Sequence, residues 1–350
     1  MMQVSQLPGR PLLTIAIPTY NRAKKLHGLL SNLFVQLADQ PAVELIVSDN
    51  ASSDETPAVI EEFEKRGLKL RHLRNEVNVG LDGNFLRCFM QSRGKYLWIL
   101  GDDDIVVPGG MGKILSMLQA ADYDLVHLCL YAFKDDYLAE RRYDRYNRIA
   151  QIVPNGLPFI QKVGIQITFM SANIVNKDKY CSAERSSLQE LVGSNLMHLG
   201  WLLPVLGSGG TSLIVWEKLL AGRDSYTGSW GICETFGAGL LGLLRKLLPG
   251  RGDIAAAIIN PALRNWFPLM IMKVRRPTAG LLNQEDFRKS LEPLHKGNWR
   301  YWVYVYPVAA FPYWAARGWY IVTQQLSRAG RFLGGWKSSW EQSAFPGNVR

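Results

Sequence analysis

Residues 12–37 read LLTIAIPTYNRAKKLHGLLSNLFVQL. The opening LLTIAIP is an unbroken apolar run, rich in β-branched residues and closed by Pro18, as expected of a strand buried on both faces. From Ala23 to Leu37 the period changes: Leu26, Leu29, Leu30, Leu33 and Leu37 recur at helical spacing. A buried strand followed at once by an amphipathic helix is the opening beat of an α/β sheet.

The beat repeats outward. VELIVS (43–48) reads as a second buried strand, and a helix is expected near Pro57 to Arg66, where proline favours a first helical turn. LKLRHLR (68–74) alternates like a more exposed strand. The loop NEVNVGLDG (75–83) leads to a helix around Asn84 to Ser92, and KYLWIL (95–100) is a fourth strand. Three strand–helix units predict an α/β fold with a mostly parallel sheet.

In such sheets ligands bind beyond the carboxyl ends of the strands. Three of the four strands end in polar clusters: Thr19, Tyr20, Asn21 and Arg22; Asp49, Asn50, Ser52, Ser53 and Asp54; and Gly101, Asp102, Asp103 and Asp104. Three consecutive carboxylates repel one another unless a cation joins them, and a hard divalent ion, Mg2+ or Mn2+, is the natural partner. A solvated turn capping the next helix is the other reading of the triplet. Asp49 can accept from a base or ribose, Asp54 suits a helix cap, and Arg22 can meet a phosphate. No Gly-x-Gly-x-x-Gly follows the first strand and no P-loop occurs, and Gly207 to Gly210 complete no dinucleotide site, which argues against dehydrogenase and P-loop classes.

TIAIPTYNR, VELIVSDNASSDET and NVGLDGNFLRCFMQSRGKYLWILGDDDIVVPGGM, in that order over residues 12–112, resemble an inverting family 2 glycosyltransferase of GT-A fold. The resemblance implies that Pro18, Thr19, Tyr20, Arg22 and Asp49 border a nucleotide sugar. It extends that border to Asn78, Gly80 and Asn84, and makes Asp102, Asp103 and Asp104 the metal-binding region. The usual family text, Leu-Asp-x-Asp-Asp, has an Asp where this chain has Gly101. Asp103 then matches the second Asp, and either Asp102 or Asp104 does the work of the first. The acceptor half of such a domain carries a base, often a Glu-Asp pair. Here Ser194 and Asn195 stand about where that pair is expected, so His198 is the first candidate base, with Glu190 and Asp178 behind it. The 167–203 region, ITFMSANIVNKDKY then GSNLMHLGWLL, resembles abequosyltransferase-like O-antigen transferases.

Composition bounds the rest. With 47% hydrophobic and 20% charged residues the chain is globular, and its four Cys (Cys88, Cys129, Cys181, Cys233) show no metal-ligand pairing and suggest a reducing compartment. No signal peptide is visible in MMQVSQLPGRPLL. The net charge of +10 is lopsided: residues 245–350 hold 16 basic and 5 acidic side chains, leaving 24 and 25 for residues 1–244. Six of eleven Trp (Trp299, Trp302, Trp314, Trp319, Trp336, Trp340) fall in residues 299–350.

WRYWVYVYPVAAFPYWAARGWYIV (299–322), interrupted by Pro307 and Pro312, suits the headgroup boundary of a membrane better than a straight span, with Ile254 to Met272 alongside. The expected organisation is a GT-A catalytic domain over 1–245, with a nucleotide-sugar half at 12–112 and an acceptor half at 113–245. A basic, aromatic membrane-association region follows over 246–350. The expected partners are a nucleotide-sugar donor and a lipid-linked (polyprenyl diphosphate) oligosaccharide at the cytoplasmic face of the inner membrane, with no nucleic acid. A nucleotidyltransferase, or an inactive nucleotide- or glycan-binding protein on the same architecture, are the competing readings.

Overall fold

The computed structural model describes residues 9–141, 148–180, 186–207, 209–224, 231–276 and 285–334. The chain forms two compact units, one from Met1–Asn155 and Ile167–Tyr226, the other from Gly156–Gln166 and Thr227–Glu341. The boundary that charge placed at 245/246 thus lies inside the second unit. The reason is apolar packing: helix Leu240–Leu247 buries Leu240, Leu243 and Leu244 there while its basic residues stand in its last turn.

In the first unit nine strands make one sheet: β1 (Leu13–Thr19), β2 (Val43–Asp49), β3 (Arg71–Arg74), β4 (Tyr96–Ile99), β5 (Ile105–Val106), β6 (Leu125–Phe133), β7 (Ala150–Pro154), β8 (Asn173–Asn176) and β9 (Thr211–Arg223). Their order is β3-β2-β1-β4-β8-β6-β9-β5, with β7 also on β9. β1 is buried along its whole length, and α1 (Ala23–Leu37) lays Leu26, Leu29, Leu30 and Leu33 into the same core. Each buried leucine contributes roughly 1.5–3 kcal/mol.

The sheet is mixed rather than mostly parallel. β3-β2-β1-β4 and the β6–β9 pair are parallel, but β8 runs antiparallel to both β4 and β6, and β5 and β7 antiparallel to β9. Beyond residue 104 the chain loses the strand–helix–strand rhythm that compels parallel pairing.

Two boundaries also move. α2 (Thr56–Lys65) closes on Gly67 at φ +96°, with Leu68 N–H returning to Phe63 O, so only Arg71–Arg74 of the expected 68–74 strand pairs as β3. α3 (Gly80–Gln91) starts four residues before Asn84. Gly80 at φ +76° turns the chain, Asn78 Oδ1 accepts from Gly80 N–H at 2.8 Å and Asn50 Oδ1 from Val79 N–H at 3.0 Å. After β5, α4 (Gly110–Ala120) buries Met111, Ile114, Leu115 and Leu118.

The second unit is helical. A continuous helix, Gly252–Val274, is long and apolar enough to cross a membrane by length and composition, yet 61% of its apolar window is buried inside the protein. The aromatic tail is two helical pieces, Tyr301–Ala310 and Tyr313–Gly334, parted at Phe311 and Pro312. Trp299, Trp302, Trp314 and Trp319 are exposed, Trp314 by 78%; Trp336 and Trp340 lie outside the described residues.

Candidate active site

The parallel half of the sheet brings the ends of β1, β2 and β4 side by side, with Thr19 opposite Asp49 in register. Two residues past β1 and β2 stand Asn21 and Ala51, both at positive φ, +51° and +63°. Asparagine tolerates this conformation; alanine there costs on the order of 1 kcal/mol, which the surrounding bonds must hold. Asn21 N–H donates to Ser52 Oγ (2.9 Å), and Asn21 Oδ1 accepts from Ser53 N–H (2.8 Å). Asp54 Oδ1 accepts from Thr56 N–H (3.0 Å) at the start of α2, where its position pointed, and Asp54 Oδ2 accepts from Ala23 N–H (3.1 Å) at the start of α1.

Asp49 is fully buried. Its Oδ1 accepts from Ser52 N–H at 2.9 Å and its Oδ2 from Arg74 Nη1 at 2.8 Å. Asn84 is buried as well, bonded to Ser48 through its amide at both ends (2.6 and 2.9 Å), so it fixes α3 to β2 instead of facing a ligand. Asn50 does the same for the 75–80 turn, donating to Asn78 Oδ1 (2.7 Å) and Gly80 O (3.1 Å). Of the expected nucleotide-sugar border, Tyr20 and Gly80 are exposed, while Pro18, Thr19, Asp49 and Asn84 are buried.

The aspartate run divides. Asp102, 2% exposed, accepts from Thr19 Oγ1 at 2.8 Å and faces Arg22 Nη1 at 2.9 Å. Asp103 Oδ2 accepts from Arg22 Nη2 at 2.6 Å and Lys25 Nζ at 3.1 Å. Asp104 turns the other way, accepting from Arg223 N–H at 3.1 Å and from the Ser171 hydroxyl. Burial pushes the Asp102 carboxyl up to about 6, against the pull of Arg22, and burial together with the Asp103 charge pushes Asp104 up to about 7.

Asp104 also explains Gly101. A Cβ at residue 101 would stand 2.9 Å from Asp104 Oδ2 and 3.3 Å from Ser171 Oγ.

Asp102 Oδ1 is buried with no hydrogen bond, for its contact with Arg22 is an ion pair without hydrogen-bond geometry. With Asp103 it makes a hard oxygen pair of the kind Mg2+ or Mn2+ uses when substrate phosphates complete its shell. Among the described residues no three His, Cys, Asp or Glu side chains gather as a metal cage, and Asp104 turns away from this pair toward Arg223. Lys25, which sequence reading overlooked, shares Asp103 with Arg22; its only signal was a place one helical turn into α1.

Later in the chain, residues 193–197 wrap around a carboxylate that sequence reading also missed. Asp82, in the first turn of α3 and 4% exposed, accepts from the backbone N–H groups of Gly193 (2.9 Å), Asn195 (2.7 Å) and Met197 (3.4 Å). Burial raises its pKa despite these bonds. Asn195 sits at φ +58° in this turn. His198 follows, 4% exposed, its Nε2–H on Thr168 O at 2.8 Å and its ring edge-on to Phe85, with Nδ1 unpartnered. Burial presses this imidazole down to about 4. Glu190 is exposed on the short segment Ser186–Leu191. Asp178 pairs with Arg10 (2.9 Å), which also bonds Arg93 O and Gly94 O ahead of β4. That places it at the amino edge of the sheet, opposite the Asp102–Asp103 pair.

Residues 14–180 match the family model Glycosyl transferase family 2, and over that segment the chain carries a family 2 glycosyltransferase domain. Abequosyltransferase RfbV of Salmonella typhimurium is 34% identical over 120 residues, 34% of this chain and 35% of that protein. The GalNAc(5)-diNAcBac-PP-undecaprenol beta-1,3-glucosyltransferase of Campylobacter jejuni is 29% identical over 119 residues, 34% and 37% of the two chains. The matched part spans well under half the length of these curated relatives. The crystal structure of S. aureus TarS 1-349 in complex with UDP-GlcNAc superposes over 91% of this chain and 92% of that one, with a TM-score of 0.57 at 14% identity. The same protein with UDP gives 0.52. These likenesses establish the GT-A-type fold.

Proposed function

We propose that the chain transfers one sugar from a nucleotide-sugar donor to a hydroxyl of a lipid-linked oligosaccharide in bacterial surface polysaccharide synthesis. The observation that carries this reading is the convergence of Thr19, Arg22, Lys25, Asp102 and Asp103 at the carboxyl ends of parallel strands inside the family-matched segment. The relatives named above are an abequosyltransferase and an enzyme whose acceptor is undecaprenol-linked, which supports the acceptor class.

Asp102 and Asp103 would hold Mg2+ or Mn2+, which when bound neutralises the donor diphosphate. Arg22 and Lys25 are then placed to exchange their carboxylate partners for phosphate oxygens. Asp49, buried and fixed by Ser52 and Arg74, holds the β2 end on which the nucleoside would rest. In a single displacement the acceptor oxygen bonds to the anomeric carbon as the bond to the diphosphate breaks; the bonding pair leaves with the diphosphate and the hydroxyl proton goes to a base. An imidazole buried and held near 4 is poorly suited to that role, so we assign His198 to positioning the 193–198 turn and the exposed Glu190 to proton acceptance.

The exposed tail aromatics and basic charge support docking at the cytoplasmic face of the inner membrane, where such an acceptor resides.

The decisive experiment is a thermal-shift panel of UDP, GDP, CDP, dTDP and ADP, each with Mn2+, Mg2+ or EDTA. A ligand at a hundred times its Kd stabilises by about 2.7 kcal/mol. One nucleotide should raise Tm with metal and not with EDTA, and Asp103→Asn should erase the rise. No shift with any nucleotide would overturn the donor assignment.

A further inference from the structure

A cavity of about 480 Å3 lies wholly within the second unit, in the size range of small-molecule sites. One wall is a single stripe of helix Gly252–Val274, in which Ala256, Ala257, Asn260, Pro261 and Arg264 recur at spacings of about three and four. Leu157 adds apolar surface and Arg300 closes one side.

Gln161, Asn260 and Asp253 also line the cavity, the last already paired with Arg251 at 2.9 Å, and three further polar side chains set its chemistry. Arg264 donates to Ser327 Oγ at 2.9 Å and lies 5.8 Å from the Tyr304 ring, and Arg300 stacks 4.7 Å over Trp299. Neither guanidinium meets a carboxylate among the described residues. Asn265, 6% exposed, lines the same cavity, and its Oδ1 has no hydrogen-bond partner. A buried amide oxygen left without a donor costs stability unless something supplies one. An apolar wall, two guanidiniums without acidic partners and an unmet acceptor together describe a receptor for an anion that carries a chain.

We infer that this cavity binds the phosphate head and first chain atoms of an anionic lipid. The head sits between Arg264 and Arg300, a protonated phosphate oxygen or sugar hydroxyl donates to Asn265 Oδ1, and the chain lies along Ala256, Ala257, Pro261 and Leu157. The inference rests on the lipid-linked acceptor reading and sharpens it: the polyprenyl diphosphate is gripped by residues of the helical unit. A bilayer phospholipid offers the same phosphate-and-chain chemistry, and the test separates the two sources.

The full chain is titrated calorimetrically with farnesyl diphosphate, inorganic pyrophosphate, farnesol and phosphatidylglycerol vesicles, without nucleotide or acceptor sugar. Farnesyl diphosphate should bind at least ~10-fold more tightly than pyrophosphate or farnesol, since head and chain each contribute contacts. Arg300→Gln removes a head contact and Ala256→Trp fills the groove from an exposed position; each should weaken farnesyl diphosphate ~10-fold or more with an unchanged melting curve.

Equal affinity for pyrophosphate would reduce the site to an anion patch and overturn the proposal, as would full binding by both variants. Vesicle binding sensitive to Arg300→Gln, with none to farnesyl diphosphate, would assign the cavity to the bilayer and overturn the acceptor source. The metal-dependent nucleotide shift, which probes the first unit, is measured on the same samples. Its loss would count against the donor reading and leave the lipid result standing.

Discussion

The strand ends and the 193–197 turn of the first unit are built differently. At the ends of β1, β2 and β4 each candidate side chain ends or closely follows a buried strand, and partners come from the neighbouring strand end: Thr19 on Asp102, Arg22 on Asp102 and Asp103, Arg74 on Asp49. The 193–197 turn does not follow a strand. Residues 193–197 are irregular, and they hold their course because Asp82, more than a hundred residues earlier, takes three of their backbone N–H groups. A site at sheet ends inherits its geometry from the sheet, whereas an irregular turn must borrow it from a remote charge.

That contrast can be broken by acid. The His127 and His198 imidazoles are both buried and pressed down to about 4 from an ordinary 6.5. As pH falls through 6.5 the unfolded chain takes up protons that the native chain refuses, so stability is lost between pH 6.5 and 4, by about 3 kcal/mol per imidazole at the lower limit. The raised carboxyls Asp102 and Asp104 act in the opposite sense, so the test is a difference. Urea unfolding of His198→Gln against the parent should show a shallower pH slope below 6.5. Identical slopes would mean that the imidazole carries its charge in the fold.

The second test sharpens the division of labour between Glu190 and His198. Glu190→Gln should lower kcat by about 10²-fold or more while leaving the metal-dependent nucleotide shift intact. His198→Gln should cost far less in kcat, and the reverse ranking would return the proton to the imidazole. The smallest effect expected is that of Asp82→Asn, which keeps one acceptor oxygen and removes the charge. It should destabilise the unit by about 1–2 kcal/mol and raise the KM for acceptor more than that for donor. Equal changes in both would show that the carboxylate merely supports the fold.

The same contrast explains what could be read in the amino-acid order. LLTIAIP, VELIVS and KYLWIL announce their strands because burial on both faces leaves no polar interruption, and the clusters behind them mark the strand ends. β8 could not be paired in advance, since its antiparallel neighbours β4 and β6 need no crossover helix to betray them. The early start of α3 depends on Gly80 and on an amide network among Asn50, Asn75 and Asn78 that no periodicity reports. Asp82 was invisible for a related reason: its partners are backbone amides, which every residue but proline possesses. Even so, Ser194 and Asn195, where an acidic pair was expected, fall in the turn that Asp82 holds.

Gly101 bears on how sequences of this kind can change. The side chain that the more usual family text carries at this position would occupy the space that Asp104 fills, so Gly101→Asp is no simple restoration. It would push the Asp104 carboxylate off Ser171 and the Arg223 amide, and leave two acids competing for one buried pocket. The two spellings of this turn are alternatives separated by a double change, with a poorly folded or poorly charged intermediate between them. An exchange of the motif by design, or a lineage crossing from one to the other, would have to move residues 101 and 104 together.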